Sequence, residues 1–346
     1  MTSSPGLPDG SAPWARRVLV ALGGNAMSAP DGSATEEHQI AALTVAAGHI
    51  ADLVAAGYEV SVTHGNGPQV GNLLVKNELS AAVVPPVSLD WCVAQTQATI
   101  GFILVDALEV ALAQRGVQRP VAALVTRTLV DEQDPAFRSP SKPIGRYLPA
   151  GQAAPLIARG QHWQDFGDRG WRRVVASPEP LAILDGSVGK SLLDNGAVVV
   201  MAGGGGIPVV RRGTSLHGVE AVIDKDLTAA LLGQYLCCDT LVIATDVEQA
   251  VLRWGTPDAE PVGHVSFTTL NDHALQGHFA AGSMGPKVRA VGRFVNGPGD
   301  TAVITRLDRL AAAVTSALGT VGTVVTKGGP EHRPPPAQPV FHFGSH

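Results

Sequence analysis

Lysine is scarce in this chain: Lys76, Lys142, Lys190, Lys225, Lys287 and Lys327 are the six, against 19 arginines. Charge of either sign is thin, at 16% of residues, and the balance is −5, so no basic face for a nucleic-acid backbone is implied. Aromatic residues make up 5%, which leaves a core of small aliphatic side chains. Cysteine is limited to Cys92, Cys237 and Cys238. An odd number without metal-ligand spacing excludes a disulfide framework and a zinc site, and a reducing, cytoplasmic setting is expected. Long apolar runs are missing too. Uncharged stretches such as 91–105 and 196–210 have 15 residues each, short of the roughly 20 that span a bilayer. The run after Arg16 and Arg17 stops at Gly23-Gly24-Asn25 after five residues, too short for a secretory leader. Neither a membrane nor a nucleic acid is an expected partner.

What is present is glycine, 40 residues of it, in a chain of 346, a length that fits about two domains or one large α/β unit. Short apolar runs alternate with amphipathic stretches. Arg17–Leu22 reads as a strand, Thr35–Ala56 as a helix, Glu59–Thr63 as a strand and Cys92–Gln114 as a long helix. Val121–Val130, Ala197–Ala202, Thr240–Ala244, Thr301–Thr305 and Thr323–Thr326 continue the strands, with helical patterns between most of them. This βαβα order predicts a mainly parallel sheet with helices on both faces, a three-layer α/β/α sandwich. The irregular stretch 131–172, with Pro135, Pro140, Pro143, Gly145 and Pro149, breaks the rhythm and is expected as a small protruding, lid-like subdomain. Residues 1–15 and 328–346, rich in Pro, Gly, Ser and His, are expected as disordered tails around a domain spanning 16–327.

In such a sheet, ligands sit beyond the carboxyl ends of the strands. Three of those ends carry glycines: Gly23-Gly24-Asn25, Gly65-Asn66-Gly67-Pro68 and Gly203-Gly204-Gly205-Gly206. Any one alone reads rather as a tight turn; three at one sheet edge make an anion cradle. Gly65-x-Gly67-x-x-x-Gly71 misses the dinucleotide-binding spacing, and Gly189-Lys190-Ser191 lacks the first glycine and the strand of a P-loop. Lys190 is therefore expected as an ordinary exposed helix residue.

Three of the lysines fall in turns rich in Gly, Pro or Asp: Ser141-Lys142-Pro143, Asp224-Lys225-Asp226 and Gly285-Pro286-Lys287. A lysine at a helix start opposes the helix dipole. Lys225 is accounted for either by a bound anionic phosphate or by a solvated position beside an Asp224 or Asp226 cap. Three such lysines suit phosphoryl transfer, which needs positioned positive charge more than covalent chemistry. His64 reads as a base or as a residue that holds its loop, Thr245-Asp246 as a nucleotide contact or a helix cap. His217 near Glu220 reads as a loop contact or a metal pair, and Cys92 as a small buried hydrophobe.

Together the motifs resemble the carbamate kinases of the amino acid kinase superfamily. The carrying residues are Ala21 to Ala26, Thr63 to Gly71, Asp134 to Phe137, Lys142 to Gly145, Gly170 to Val175, Gly203 to Pro208, Gly218 to Asp226, Thr245 to Val247, Trp254 to Pro257 and Gly282 to Lys287. They lie in family order over about 17 to 326. The resemblance implies a homodimeric, cytoplasmic enzyme of the amino acid kinase fold. It would interconvert ATP and carbamate with ADP and carbamoyl phosphate, using Mg²⁺, and form ATP in arginine or purine breakdown. Lys142, Lys225, Asp226 and Lys287 would be catalytic, with Asp226 orienting the lysines. Gly23, Gly24, Asn25, Gly65, Asn66, Gly67, Gly204 and Gly205 would hold substrate and phosphoryl group. Thr245, Asp246, Val247, Met284, Gly285, Pro286 and Lys287 would bind ATP, and no side chain is assigned to the metal. Carbamate is already an anion, so no general base is needed. Ala94-Gln95-Thr96-Gln97-Ala98 stands where the family usually reads close to M-S-Q-G, and Ala176 where it usually has proline. A kinase of another small carboxylate and a non-catalytic nucleotide-binding regulator are the alternatives.

Overall fold

The computed structural model describes residues 17–24, 35–279, 283–316 and 319–331. The tail residues 1–15 and 332–346 lie outside these. The strands are, in chain order, β1 (Arg17–Leu22), β2 (Glu59–His64), β3 (Val121–Ala123), β4 (Arg127–Leu129), β5 (Lys142–Leu148), β6 (Trp163–Asp165), β7 (Trp171–Val175), β8 (Ala182–Ile183), β9 (Val198–Val200), β10 (Ile207–Arg212), β11 (Ser215–Gly218), β12 (Thr240–Thr245), β13 (Val251–Leu252), β14 (Glu260–Pro261), β15 (His264–Ser266), β16 (Thr301–Arg306) and β17 (Thr323–Thr326). The helices are α1 (Glu36–Ala55), α2 (Gly67–Ser80), α3 (Leu89–Gln114), α4 (Ala150–Ile157), α5 (Gly186–Asp194), α6 (Lys225–Tyr235), α7 (Phe267–Leu275), α8 (Met284–Asn296) and α9 (Leu310–Thr315).

The central sheet runs β15-β17-β16-β12-β1-β2-β9-β3. β1 pairs in parallel with β2 and β12, and β12 with β16, while β17 lies antiparallel to β16. Side chains alternate across a strand, and here both sets are apolar. Leu19, Ala21, Leu241 and Ile243 pack on Leu227 and Ala230 of α6 and Val291 and Phe294 of α8. Val18, Val20, Leu22, Val60 and Val62 pack on Leu43 and Ile50 of α1 and Ile100 and Leu104 of α3. Two cores thus sandwich a sheet buried on both faces, which is why its strands read as continuous apolar runs. The three-layer α/β/α architecture is the one expected.

Helix α3 is, by length and composition, long and apolar enough to cross a membrane, which the uncharged runs did not indicate because Asp90 and Asp106 interrupt it. Its inward side belongs to the core through Ile100, Leu104, Leu108 and Leu112.

Two expectations change. Residues 121–130 form two strands: β3 extends the central sheet beside β9, while β4 joins a separate sheet of order β11-β10-β4-β8. The break falls at Thr126, whose N–H donates to Gln97 Oε1 (2.7 Å) and whose carbonyl accepts from Gln97 Nε2 (3.1 Å). The side chain of Gln97 thus occupies the Thr126 N–H, while the Thr126 carbonyl also accepts from Ile207 N–H of β10 (2.9 Å), so the chain leaves β9 and joins β10 here. The second change is in 131–170, which is not irregular. β5 and β6 flank β7 in an antiparallel sheet that reaches Val175. Its buried residues are Ile144, Leu148 and Val174, and beside them the half-buried Tyr147 ring has Arg169 and Arg172 over it (5.4 and 4.9 Å) and Phe166 at its edge. With a cation–π cluster covering part of the sheet, the apolar period is too sparse to read.

Candidate active site

The ends of β1, β2 and β12 are stitched together by backbone. Gly23 N–H donates to the Ala244 carbonyl (2.9 Å) and Gly65 N–H to that of Leu22 (3.0 Å). A Cβ on Gly65 would sit 3.1 Å from the Gly24 nitrogen, so glycine there lets the two loops approach without displacing backbone.

Against these loops stands the start of α6. Asp224 is its N-cap, with Oδ1 accepting from the N–H groups of Asp226 (3.0 Å) and Leu227 (3.4 Å). Lys225 and Asp226 are therefore the first two helical residues, and their side chains form an ion pair. The other Asp226 oxygen accepts from Lys287 Nζ of α8 at 3.0 Å. Lys142, the first residue of β5, donates to Asp224 Oδ2 at 2.8 Å. Burial opposes ionisation of Asp226, but the ammoniums of Lys225 and Lys287 outweigh it and hold its carboxyl down at about 2. Burial also pulls the pKa of Lys225 below the ordinary lysine value. Three ammoniums, two carboxylates and a helix N-terminus leave the cluster net positive, a site for an anion.

The cluster opens on a cavity of about 320 Å³ whose wall includes Gly23, Gly24, Lys142, Asp226, Pro286 and Lys287. A second cavity of about 240 Å³ shares Thr245, Asp246, Ser283 and Lys287 with it. The remaining wall of the second is largely apolar: Val247, Val251, Trp254, Phe279 and Met284. A polar, cationic chamber beside an apolar slot accommodates a phosphorylated ligand with a flat aromatic base. Val251 and Phe279 were missed from the sequence, and Trp254 was seen only as part of a motif. No local signal marks them, because each lies in a different short element.

Other expected site residues fall elsewhere. Asn66 and Gly67 line a third cavity, of about 390 Å³, with Ile144 and Arg172 beneath β5, and Asn66 Nδ2 donates to Thr96 Oγ1 (2.9 Å). Gly204 and Gly205 are buried behind that position rather than in the lysine cavity. A Cβ on Gly204 would overlap the Asn66 side chain, and the Gly205 carbonyl accepts from the hydroxyls of Thr128 (2.9 Å) and Thr228 (3.1 Å). Gly285 is held in the first turn of α8 and enters neither of the two connected cavities. Asn25 and Gly282 lie outside the described residues.

In the stretch that departs from the family wording, Thr96 and Gln97 point inward and are buried, whereas Gln95 and Ala98 are exposed. His64 is buried, with Nδ1 donating to the Gly65 carbonyl at 2.7 Å. Burial pushes its pKa down to about 4, so it is neutral at pH 7 and braces its loop. Glu220 accepts from Leu89 N–H (2.9 Å) and Arg173 (3.2 Å) rather than pairing with His217. Lys190 pairs with Asp194 one helical turn away.

This fold with this pair of cavities defines a class of phosphotransferase. A model of the amino acid kinase family matches residues 16–306, and the chain belongs to that family. Several curated relatives there are named carbamate kinase. The carbamate kinase of Thermococcus kodakarensis is 43% identical over 310 residues, 88% of this chain and 98% of the relative. Carbamate kinase 1 of Enterococcus faecium is 40% identical over 314 residues, 90% and 99% of the two chains. Among solved structures, the carbamate kinase from Giardia lamblia bound to AMP-PNP has a TM-score of 0.85 at 38% identity, covering 91% of this chain and 99% of that one.

Proposed function

We propose that the chain transfers a phosphoryl group between carbamoyl phosphate and ADP, giving carbamate and ATP, and that ATP formation is its working direction in a catabolic route. The observation that carries this reading is the convergence of Lys142, Lys225 and Lys287 on one cavity that continues into an apolar slot. The relatives named carbamate kinase, and the AMP-PNP in one of them, support the choice of substrates.

In the reaction a β-phosphate oxygen of ADP bonds to phosphorus while the bond from phosphorus to the carbamate oxygen breaks, and carbamate departs as an anion. Both reactants are negative, so their approach is opposed until fixed cations offset it. Lys225 and Lys287, oriented by Asp226, face the moving group from the main body, and Lys142 faces it from the inserted sheet. Backbone at Gly23 and Gly24 lines the path, with Gly65 packed behind Gly24, and the base occupies the slot of Val247, Trp254 and Met284. No proton needs removing, which agrees with a buried, neutral His64.

Mg²⁺ enters this reading with the nucleotide. The carboxylates of Asp224 and Asp226 are engaged by lysines and by helix N–H groups, and no cluster of three or more potential ligands occurs among the described residues. Such a hard cation is well served by phosphate oxygens and water. A cytoplasmic homodimer belongs to the same reading. The exposed Ile40 of α1 and Phe102 and Val110 of α3, which line one groove, supply an apolar face for it, and sedimentation of the full chain at two times the monomer mass is the expected result.

The test is ATP formation from MgADP, with carbamoyl phosphate and acetyl phosphate as rival donors. Turnover with a strong preference for carbamoyl phosphate supports the assignment. ADP binding without ATP formation from either donor overturns it.

A further inference from the structure

Asp224 divides its two carboxylate oxygens between two bodies of the fold. Oδ1 caps α6, while Oδ2 accepts from Lys142 Nζ at 2.8 Å. A helix cap needs one oxygen, and serine or asparagine supplies it as well as aspartate does. The second oxygen is therefore surplus to capping. Its partner, Lys142, belongs to the β5-β7-β6 sheet, which shares no strand with the central sheet against which α6 and α8, the helices of Lys225 and Lys287, are packed. A lysine on a flexible four-carbon stem loses rotamer entropy when fixed, and the Lys142 side chain is 35% exposed, against 13% for Asp224. Untethered, its ammonium would sample the cavity mouth. Both residues line the lysine cavity.

We infer that Asp224 is a positioning residue for Lys142, tying the ammonium of the inserted sheet to the first turn of α6 so that it meets the phosphoryl group in register with Lys225. One N–H of the ammonium stays on Oδ2, and two remain for phosphoryl oxygens. The inference rests on the phosphoryl-transfer reading above.

Because the Asp224 charge also acts on Lys225, a single variant does not isolate its effect on Lys142; a double-mutant cycle does. Asp224→Asn keeps the capping oxygen but turns a donor toward Lys142, and Asp224→Ser keeps the cap without the reach. Both are expected to melt like the parent. Each should lower kcat for ATP formation roughly tenfold or more, the scale of misplacing a reacting group's partner, with the KM for ADP unchanged. In a Lys142→Ala background each should lower kcat severalfold less than in the parent, the remainder being the part that acts through Lys225. A loss of the same size with and without Lys142, or no loss in either variant, overturns the inference. Hydrogen exchange of the β5 amides, measured without substrates, separates this from failure of the functional reading. It should quicken in Asp224→Asn even if the parent proves inactive toward carbamoyl phosphate, and unchanged exchange overturns the tether.

Discussion

Where Lys225 and Lys287 share the Asp226 carboxylate, the ionised groups are paired and their backbone is set by helix starts next to a stitched sheet edge. In the neighbouring cavity, Trp254, Phe279 and Met284 supply apolar walls from a short ribbon, a loop and the first residue of α8. The contrast follows from the chemistry. Charge that builds up in a transition state is stabilised only by dipoles and ions already in place, whereas an aromatic base needs a slot of the right size and polarity. Damage at the cationic end should therefore appear in turnover, and damage at the apolar end in nucleotide affinity.

The largest effect is expected from Asp226→Ala, which leaves two ammoniums facing each other without their carboxylate. Removing one partner from a buried ionic group costs roughly 3–5 kcal/mol, so its melting temperature should drop sharply. Its kcat should fall on the order of 10³-fold, as judged by initial rates of ATP formation. If the variant melts normally and turns over normally, the two ends do not differ in the way described.

Next in size is a pH effect at the loop behind the lysines. The His64 pKa is about 4 when folded against 6.5 for the free group. Its contribution is present in full above pH 6.5 and is lost as pH falls toward 4, because the unfolded chain takes up the proton first. About 3 kcal/mol should disappear over that window. Denaturant unfolding of the parent and of His64→Gln at a series of pH values should show a slope that the variant lacks. The smallest effect is set by Lys190, outside both cavities in an exposed i,i+4 pair with Asp194. Lys190→Ala should shift stability by at most about 0.5 kcal/mol and leave both kinetic constants alone.

The two ends also differ in how far the sequence discloses them. Lys142, Lys225 and Lys287 stand out because lysine is rare here and because proline, glycine and aspartate beside them mark rigid turns. The central sheet is legible for a related reason: strands buried on both faces have to be continuously apolar. The base slot is legible only through the family resemblance, which names Val247 and Met284; Val251 and Phe279 carry no signal, since the slot's residues are scattered over elements as short as the two-residue β13. The inserted sheet is hidden by its arginine–tyrosine packing, and the break between β3 and β4 by Gln97, a glutamine 29 positions from the backbone it caps. Gly204 and Gly205 look like a phosphate cradle, but the close approach that demands glycine is to Asn66 and Ile223. Glycine reports that space is tight, not what fills it.

The central claim is that charge at one end moves the phosphoryl group while the apolar end only holds the base. Saturation curves for MgADP at fixed, saturating carbamoyl phosphate, taken side by side for Lys225→Ala and Trp254→Ala, test it most directly. A kcat loss of roughly 10²-fold or more is expected in the first. In the second, KM should rise about tenfold, as for removal of a stacked aromatic partner, with kcat near that of the parent. A Lys225→Ala enzyme with parental kcat, or a Trp254→Ala enzyme whose kcat collapses while its KM is unchanged, would contradict it.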